Sequence, residues 1–344
     1  MQSKVAVVIL NWNGIALLRE YLPSVVSTVP DYVKVFLLDN ASNDESVSFV
    51  KKKYPDIQII QNDDNSGFAL GYNKGLVGVD AEYFVLLNSD IECAQGWVEP
   101  IIDFMDKNKQ VGACQPKILD HKNKNSFEYA GASGGHIDAL GFPFCRGRIF
   151  NELELDEAQY EENSKIFWAT GACLFIRSSV FNELKGFDED FFAHMEEIDL
   201  CWRIHRAGHE IYCIPKSKIF HLGGGTLKKL NPQKTYLNFR NNLIMILKNN
   251  RRKYFFITIF LKLILDGVAG VKFLLEGSPL HTWSVLKAHF YVYGHFGTIL
   301  KKRKALKKVF PKKIIHPVYP KSIVISHFLF GKKTFKELKF NAGK

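Results

Sequence analysis

The stretches VAVVILNWN (5–13), VFLLDN (35–40) and YFVLLNSD (83–90) share one design: a short, continuously apolar run that ends on carboxylate or amide side chains. Runs this short and apolar read as strands covered on both faces, as parallel strands between helix layers are. Ligands of open α/β sheets bind outside the carboxyl ends of such strands. If the three runs are neighbours, Asn11, Asn13, Asp39, Asn40, Asn88 and Asp90 converge on one crevice.

Working outward, strand-like runs at 34–38 and 57–61 alternate with helix-period stretches at about 15–27, 44–53 and 69–78, a βαβα series. Leu17, Leu18, Tyr21, Leu22, Val25 and Val26 follow helical spacing, and Ser42, three residues before Glu45, predicts a capping box. Further strands are predicted at 111–117, 173–176 and 211–214. The residues from 120 to 165, rich in Gly, Asn and acids without periodicity, predict a long surface excursion over the crevice. After His221 the composition changes to helix-like stretches at 232–250, 254–276 and 278–300, a Lys-rich segment and an apolar patch at 323–330. The reading is an α/β domain with a mostly parallel sheet over 1–225, then a basic, aromatic-rich helical region over 226–344.

A 47% hydrophobic content over 344 residues supports a large core and excludes global disorder. The net charge of +11 conceals a split: residues 221–344 carry 25 Lys and Arg against Asp266, Glu276 and Glu337, so the back is +22 and the front −11. Such asymmetry predicts a polyanionic partner. No zinc spacing, helix-turn-helix signature or RNA-binding aromatic motif accompanies the charge, which argues against nucleic acid and for an anionic membrane surface. The most apolar stretch, 254–275, is interrupted by Lys262, Asp266 and Lys272 and lacks the uncharged length of a spanning helix, so it lies flat or packs internally. Ser278 is expected to cap the next helix, which starts at Pro279, carries Trp283, Phe290, Tyr291, Tyr293 and Phe296, and leads into the 301–308 lysines, an interfacial-anchor pattern. Six scattered cysteines predict free thiols, and an N-terminus without a signal-peptide pattern predicts a cytoplasmic protein, peripheral on the inner face of the membrane.

Several constellations carry chemistry. Asp90, just past a buried strand, suits a hard cation. Asp39 and Asn40 offer an acceptor and an amide to a pyrimidine base, although Asp39 would equally serve as a helix cap. The segment NSGFALGYNKG (65–75) opens a helix with glycines that permit close approach to phosphate, without dinucleotide or P-loop spacing. In GFDEDFFAHMEEIDLCWR (186–203) a helix is expected near Glu196. Glu197 then shares a face with Leu200 and Ile204, which would raise its pKa toward general-base use. Glu196 and Asp199 are expected to have electrostatic partners, Asp199 with Arg203 at i, i+4. His221, before the Gly223–Gly225 loop, could complete coordination begun by Asp90, the loop wrapping a diphosphate.

Read in order, VVILNWN, LLDNASND, NSGFALGYNKG, LLNSD, WATGA, GFDEDFF, MEEIDLCWR and HLGGGT resemble the family-2 inverting glycosyltransferases of the GT-A fold, in particular the bacterial rhamnosyltransferase-like group. Each block alone is weak, but eight in the family's order over about residues 5–250 are specific.

The resemblance implies a nucleotide-sugar-binding GT-A fold and transfer of a sugar, with inversion, from a nucleoside-diphosphate sugar to an acceptor hydroxyl, with Mg²⁺ or Mn²⁺ neutralising the leaving diphosphate. The favoured donor is dTDP-rhamnose or a UDP-sugar, the acceptor a glycan or lipid-linked glycan in bacterial cell-surface polysaccharide assembly. Asn11, Asp39 and Asn65 match nucleotide-holding positions, with Asn13, Gly67, Asn73 and Asn88 beside them. Asp90 matches the last acid of the metal motif and is joined by His221. Trp168, Thr170, Gly171, Glu196 and Asp199, with the loop 131–148, would line the donor sugar and acceptor. Two departures stand out: Asn88 replaces the first metal-motif acid of many members, and Glu197 stands where most relatives place an aspartate base. A nucleotidyltransferase would instead start with a Gly-rich loop and a basic residue after the first strand, which Asn11 to Gly14 do not offer. A non-catalytic nucleotide-sugar or lipid-binding scaffold would differ in releasing no nucleoside diphosphate.

Overall fold

The computed structural model describes residues 3–223, 231–251, 255–310 and 317–340. Its first half alternates as the sequence predicts through β1 (Ser3–Asn11), α1 (Ile15–Thr28), β2 (Val33–Asp39), α2 (Ser46–Lys53), β3 (Gln58–Gln61), α3 (Gly67–Gly75) and β4 (Ala81–Asn88), after which come two elements the sequence reading lacks, β5 (Ile91–Cys93) and α4 (Glu99–Lys107). Then follow β6 (Val111–Asp120), β7 (Gly135–Asp138), β8 (Pro143–Cys145), β9 (Arg148–Ile149), β10 (Glu152–Leu153), β11 (Ser164–Lys165), β12 (Cys173–Arg177), α5 (Ser178–Glu183), α6 (Glu196–Ala207) and β13 (Glu210–His221). The main sheet runs β11-β13-β6-β12-β4-β1-β2-β3, with β5 on β13. Its pairings β1 with β2 and β4, β2 with β3, and β6 with β13 are parallel, whereas β12 inserts antiparallel. Val5, Val7 and Ile9 pack on one face of β1, and Ala6 and Val8 on the other. Both faces are covered, the condition that makes such strands apolar throughout.

Three local expectations need correction. Ser42 caps nothing: α2 begins at Ser46, whose N–H donates to Asp44 Oδ1, while the Ser42 hydroxyl donates to Asp39. The stretch 120–165 is no surface excursion but builds a second sheet, β10-β9-β8-β7-β14, and buries Ser133, His136 and Cys145. Its last strand, β14 (Val318–Tyr319), pairs in parallel with β7 from far along the chain.

The remainder is helical: α7 (Pro232–Asn249), α8 (Phe255–Leu275), α9 (Pro279–Gly294), α10 (Phe296–Val309) and α11 (Ile323–Phe328). Third, the helix expected over 278–300 breaks at His295, whose ring stacks on Tyr291, and the lysine-rich segment forms its own helix, α10. Ser278 occupies the N-cap without a side-chain bond. Nor is α10 only a solvated face. Lys302 bridges Asp188 and Asp190, 2.6 Å from each, and Arg303 donates to the Leu247 carbonyl. All six cysteines are free and buried.

Candidate active site

β1 is the central strand of its trio, with Asn11 opposite Asp39 on one side and Leu10 opposite Asn88 on the other, so the three polar tips converge. Asn11 is fully buried and donates to Asp39 Oδ1 at 2.9 Å and to Ser42 Oγ at 3.1 Å, leaving its own Oδ1 without a partner. The Asp39 carboxylate also accepts the Ser42 N–H, so it organises this corner from beneath. Asn13 is exposed in a left-handed turn (φ 49°), and its side-chain Oδ1 accepts the Asn43 N–H. Asn65 is exposed and accepts the Gly67 N–H, and Asn88 is half-buried. Gly67 has φ 77° and lies against Phe192, where a Cβ would come within 2.6 Å of a carbonyl oxygen.

Asn73 has another duty. Its amide forms a two-way bridge to the Phe187 backbone, at 2.9 Å each way, pinning α3 to the acid segment. That segment ends in two consecutive left-handed residues, His194 (φ 70°) and Met195 (φ 72°), directly before α6. Strain of this kind persists only when neighbours impose it. Here Asn241 of α7 donates to the carbonyls of Ala193 and His194, and Arg240 to that of Asp190.

The acids of the segment sort into two kinds. Asp188 contacts Lys248 and Lys302, and Asp199 is fully buried between Arg203, Lys248 and Asn249. Asp199 therefore faces this network rather than the crevice. Glu196, contrary to expectation, has no basic partner among the described residues: it is buried, and both it and the half-buried Glu197 leave a carboxylate oxygen unbonded there. Burial, with the charge of Glu197, raises the Glu196 pKa well above its ordinary value, and burial pushes Glu197 up to about 7. Gly171 opens the approach, since a Cβ there would sit 3.0 Å from Phe68 and 3.7 Å from the Glu197 Cβ. Thr170 is buried against Gln115 and Gly131, and Trp168 is buried with its indole N–H on the His136 carbonyl.

A third cluster forms because β5 pairs with β13 in a register that sets His221 opposite Ile91. Asp90 therefore lies beside the imidazole, Oδ1 to Nε2 at 3.1 Å. Glu128, which sequence reasoning missed, brings Oε1 within 3.3 Å of Nδ1, too poorly aligned for a hydrogen bond. Burial would lower the His221 pKa, but the two carboxylates carry it up to about 10. The 224–226 part of the glycine loop lies outside the described residues.

A sequence model described as glycosyl transferase family 2 matches residues 6–185, more than half of the chain. The chain belongs to this family. It is 24% identical over 218 residues to the N-acetylglucosaminyl-diphospho-decaprenol L-rhamnosyltransferase of Mycobacterium tuberculosis, an overlap covering 59% of this chain and 71% of that protein. To a low-salt glycan biosynthesis hexosyltransferase of Haloferax volcanii it is 23% identical over 250 residues, 71% and 76% of the two chains. The crystal structure of GalNAc-T7 with UDP, GalNAc and Mn²⁺ superposes with a TM-score of 0.57 at 18% identity, covering 72% of this chain and 49% of that one. A Pyrobaculum calidifontis mannosyltransferase in complex with GDP-Man and Mn²⁺ gives 0.50 at 14% identity, covering 90% and 82%. These likenesses show a GT-A glycosyltransferase fold.

Among the described residues of this transferase, no three His, Cys, Asp or Glu side chains form a metal-binding group by themselves. Asp90 and His221 nonetheless fit a hard cation that takes its remaining ligands from phosphate oxygens and water, the usual habit of Mg²⁺. A cation binds the neutral imidazole, so binding at His221 would displace the ring proton that the neighbouring carboxylates favour. The signal for Glu128 was faint, an acid between Phe127 and Tyr129 in a segment without periodicity.

Proposed function

We propose that this transferase moves a sugar from a nucleoside-diphosphate sugar, with inversion, to a hydroxyl of a glycan or lipid-linked glycan in bacterial cell-surface polysaccharide assembly. The observation that carries the reading is the pair of carboxylates, Glu196 and Glu197, each with a buried oxygen unbonded among the described residues, which follow an imposed left-handed turn, Glu197 approaching Gly171, next to the Ala172 carbonyl that accepts the Asn88 N–H. Asn11, Asn13, Asp39, Asn65, Gly67 and Asn88 form the nucleotide side. Asn73 positions the acid segment. Asp90 and His221 would hold Mg²⁺ or Mn²⁺, which supplies positive charge to the leaving diphosphate. Glu197, less deeply buried than Glu196, takes the proton of the acceptor hydroxyl as that oxygen attacks the anomeric carbon opposite the departing diphosphate. One displacement inverts the centre. A base whose pKa lies near neutrality suits that transfer.

The rhamnosyltransferase relative favours dTDP-rhamnose, and the UDP complex of GalNAc-T7 a UDP-sugar. A lipid-linked acceptor agrees with the +22 back half, which we place against an anionic membrane surface on the cytoplasmic side. No helix among the described residues is long and apolar enough to cross a membrane.

The test is a panel of UDP-, dTDP- and GDP-sugars with Mg²⁺ or Mn²⁺, read by thermal shift and by nucleoside diphosphate released with an acceptor extract. One donor class should stabilise the fold and be consumed. Stabilisation without release would overturn the catalytic reading in favour of a binding scaffold.

A further inference from the structure

In the hairpin of α8 and α9, the middle of α8 turns polar side chains inward and apolar ones outward. On α8 the residues facing the protein include Phe255 at the start and then Thr258, Lys262, Asp266 and Gly270, a polar or small stripe at helical spacing that Ile259 and Leu263 flank against the core. The Lys262 ammonium contacts the Asp266 carboxylate and lies 4.3 Å from the Phe142 ring, and His289 of α9 approaches Asp266 at 3.3 Å. The opposite face is apolar along its whole length: Phe256 is 73% exposed, Phe260 63%, Val268 60% and Leu275 83%. α9 continues the surface with Trp283 at 58% and Phe290 at 64%. A water-facing helix has the reverse order, and soluble monomers rarely expose a contiguous apolar face of this extent.

We propose that the outward faces of α8 and α9 seat in the acyl-chain layer of an anionic bilayer, with α8 lying in the membrane plane. This deepens the membrane contact proposed above by naming the face and its mode of contact. Three features choose a bilayer as the occupant. The internal ion pair satisfies Lys262 and Asp266 against the protein, and Lys272, the other charge of α8, lies near its end 3.7 Å from Glu276, so none points outward from the centre of the apolar face. Lys272 and Lys287 stand exposed on the same two helices, and α10 adds exposed Lys301, Lys304, Lys307 and Lys308 nearby, positive charge complementary to anionic headgroups. Trp283 and Tyr293 supply the amphipathic rings that favour the headgroup boundary. At about 1.5 Å per residue, α8 spans roughly 31 Å, length enough to anchor while lying flat.

The full chain is tested with phosphatidylcholine vesicles, with and without phosphatidylglycerol, by flotation and by quenching of tryptophan emission with bromolipids. Binding should strengthen with phosphatidylglycerol, and the quenched component should vanish in Trp283→Phe. The double variant Phe260→Ser/Val268→Ser alters only exposed side chains and should keep the wild-type circular dichroism. It should partition at least about tenfold more weakly, since each buried apolar side chain contributes strongly to transfer. Unchanged partitioning of that variant, or complete release of the wild type by salt, would overturn insertion in favour of surface charge alone. A stable dimer that the same variant dissociates, with no bromolipid quenching, would assign the face to a second copy of the chain. Donor consumption with a soluble acceptor is read in parallel, so failure of insertion and failure of the transferase reading remain distinguishable.

Discussion

The crevice and the α8–α9 hairpin both bury charged groups, and they treat them in opposite ways. In the hairpin Lys262 and Asp266 neutralise each other and His289 completes the cluster. In the crevice Glu196 and Glu197 have no cationic partner among the described residues, and each keeps an unbonded oxygen. A burial cost left uncompensated at one place, while the same chain compensates it at Asp188, Asp199 and Asp266, marks the carboxylates that await a ligand. The contrast separates a site that should govern rate from a cluster that should govern stability.

The largest effect expected from breaking the contrast is at Glu197. Glu197→Gln should lower transfer by about two to four orders of magnitude while the nucleotide-sugar thermal shift persists. Glu196→Gln should cost less. Retention of more than about a tenth of the wild-type rate by Glu197→Gln, too small a loss for a missing base, would move the role to Glu196. On the other side, Asp266→Ala strands the buried Lys262 ammonium and should destabilise the fold by about 3–5 kcal/mol in denaturant titration. Specific activity of the folded fraction with a soluble acceptor should not change; a selective loss of rate would show that the two regions are coupled.

Much of the crevice was legible because its determinants are local. Continuous apolar runs announced β1, β2 and β4, and their polar ends needed only the order β4-β1-β2 to meet. Glu128 was not legible, because the sheet beside it is made of strands of two to four residues, too short to show a period. One of those, β14, arrives from about residue 318. The partners of the acid segment were hidden for the same reason: Lys248 and Lys302 lie far along the chain in the basic helical region that composition alone directs to a membrane surface. Ser42 misled because Asp39 and Asn11, adjacent only in three dimensions, take up its hydroxyl before it can cap α2.

A smaller effect sharpens the reading of the Asp90–His221 pair. Asp90→Ala should abolish stimulation by Mn²⁺ or Mg²⁺ without unfolding the protein, since the residue sits at a strand end. Glu128→Gln should leave the ligands in place but remove the carboxylate that faces Nδ1, weakening Mn²⁺ binding by about 10–100-fold in calorimetry. Equal Mn²⁺ affinity in wild type and Glu128→Gln would reduce Glu128 to a packing residue.

The finest distinction is in pH. Glu197 is held up at about 7 against an ordinary 4.5, so it is protonated in mildly acidic buffer and ionised above neutrality. As a base it works only when ionised, and transfer should rise about tenfold per pH unit below 7 before it levels. Stability should move the other way. Between pH 4.5 and about 7 Glu197 binds a proton in the native state that the unfolded chain has released, so its contribution to stability falls as pH rises through this window and is constant above it. Glu197→Gln, neutral at every pH, should remove that slope and leave the variant more stable than wild type at neutral pH, the gap closing toward pH 4.5. Parallel denaturant titrations of the two proteins across this range measure it. A gap that does not change with pH would mean that Glu197 is not held protonated by its surroundings, and the comparison between an uncompensated crevice and a compensated hairpin would fail at its central residue.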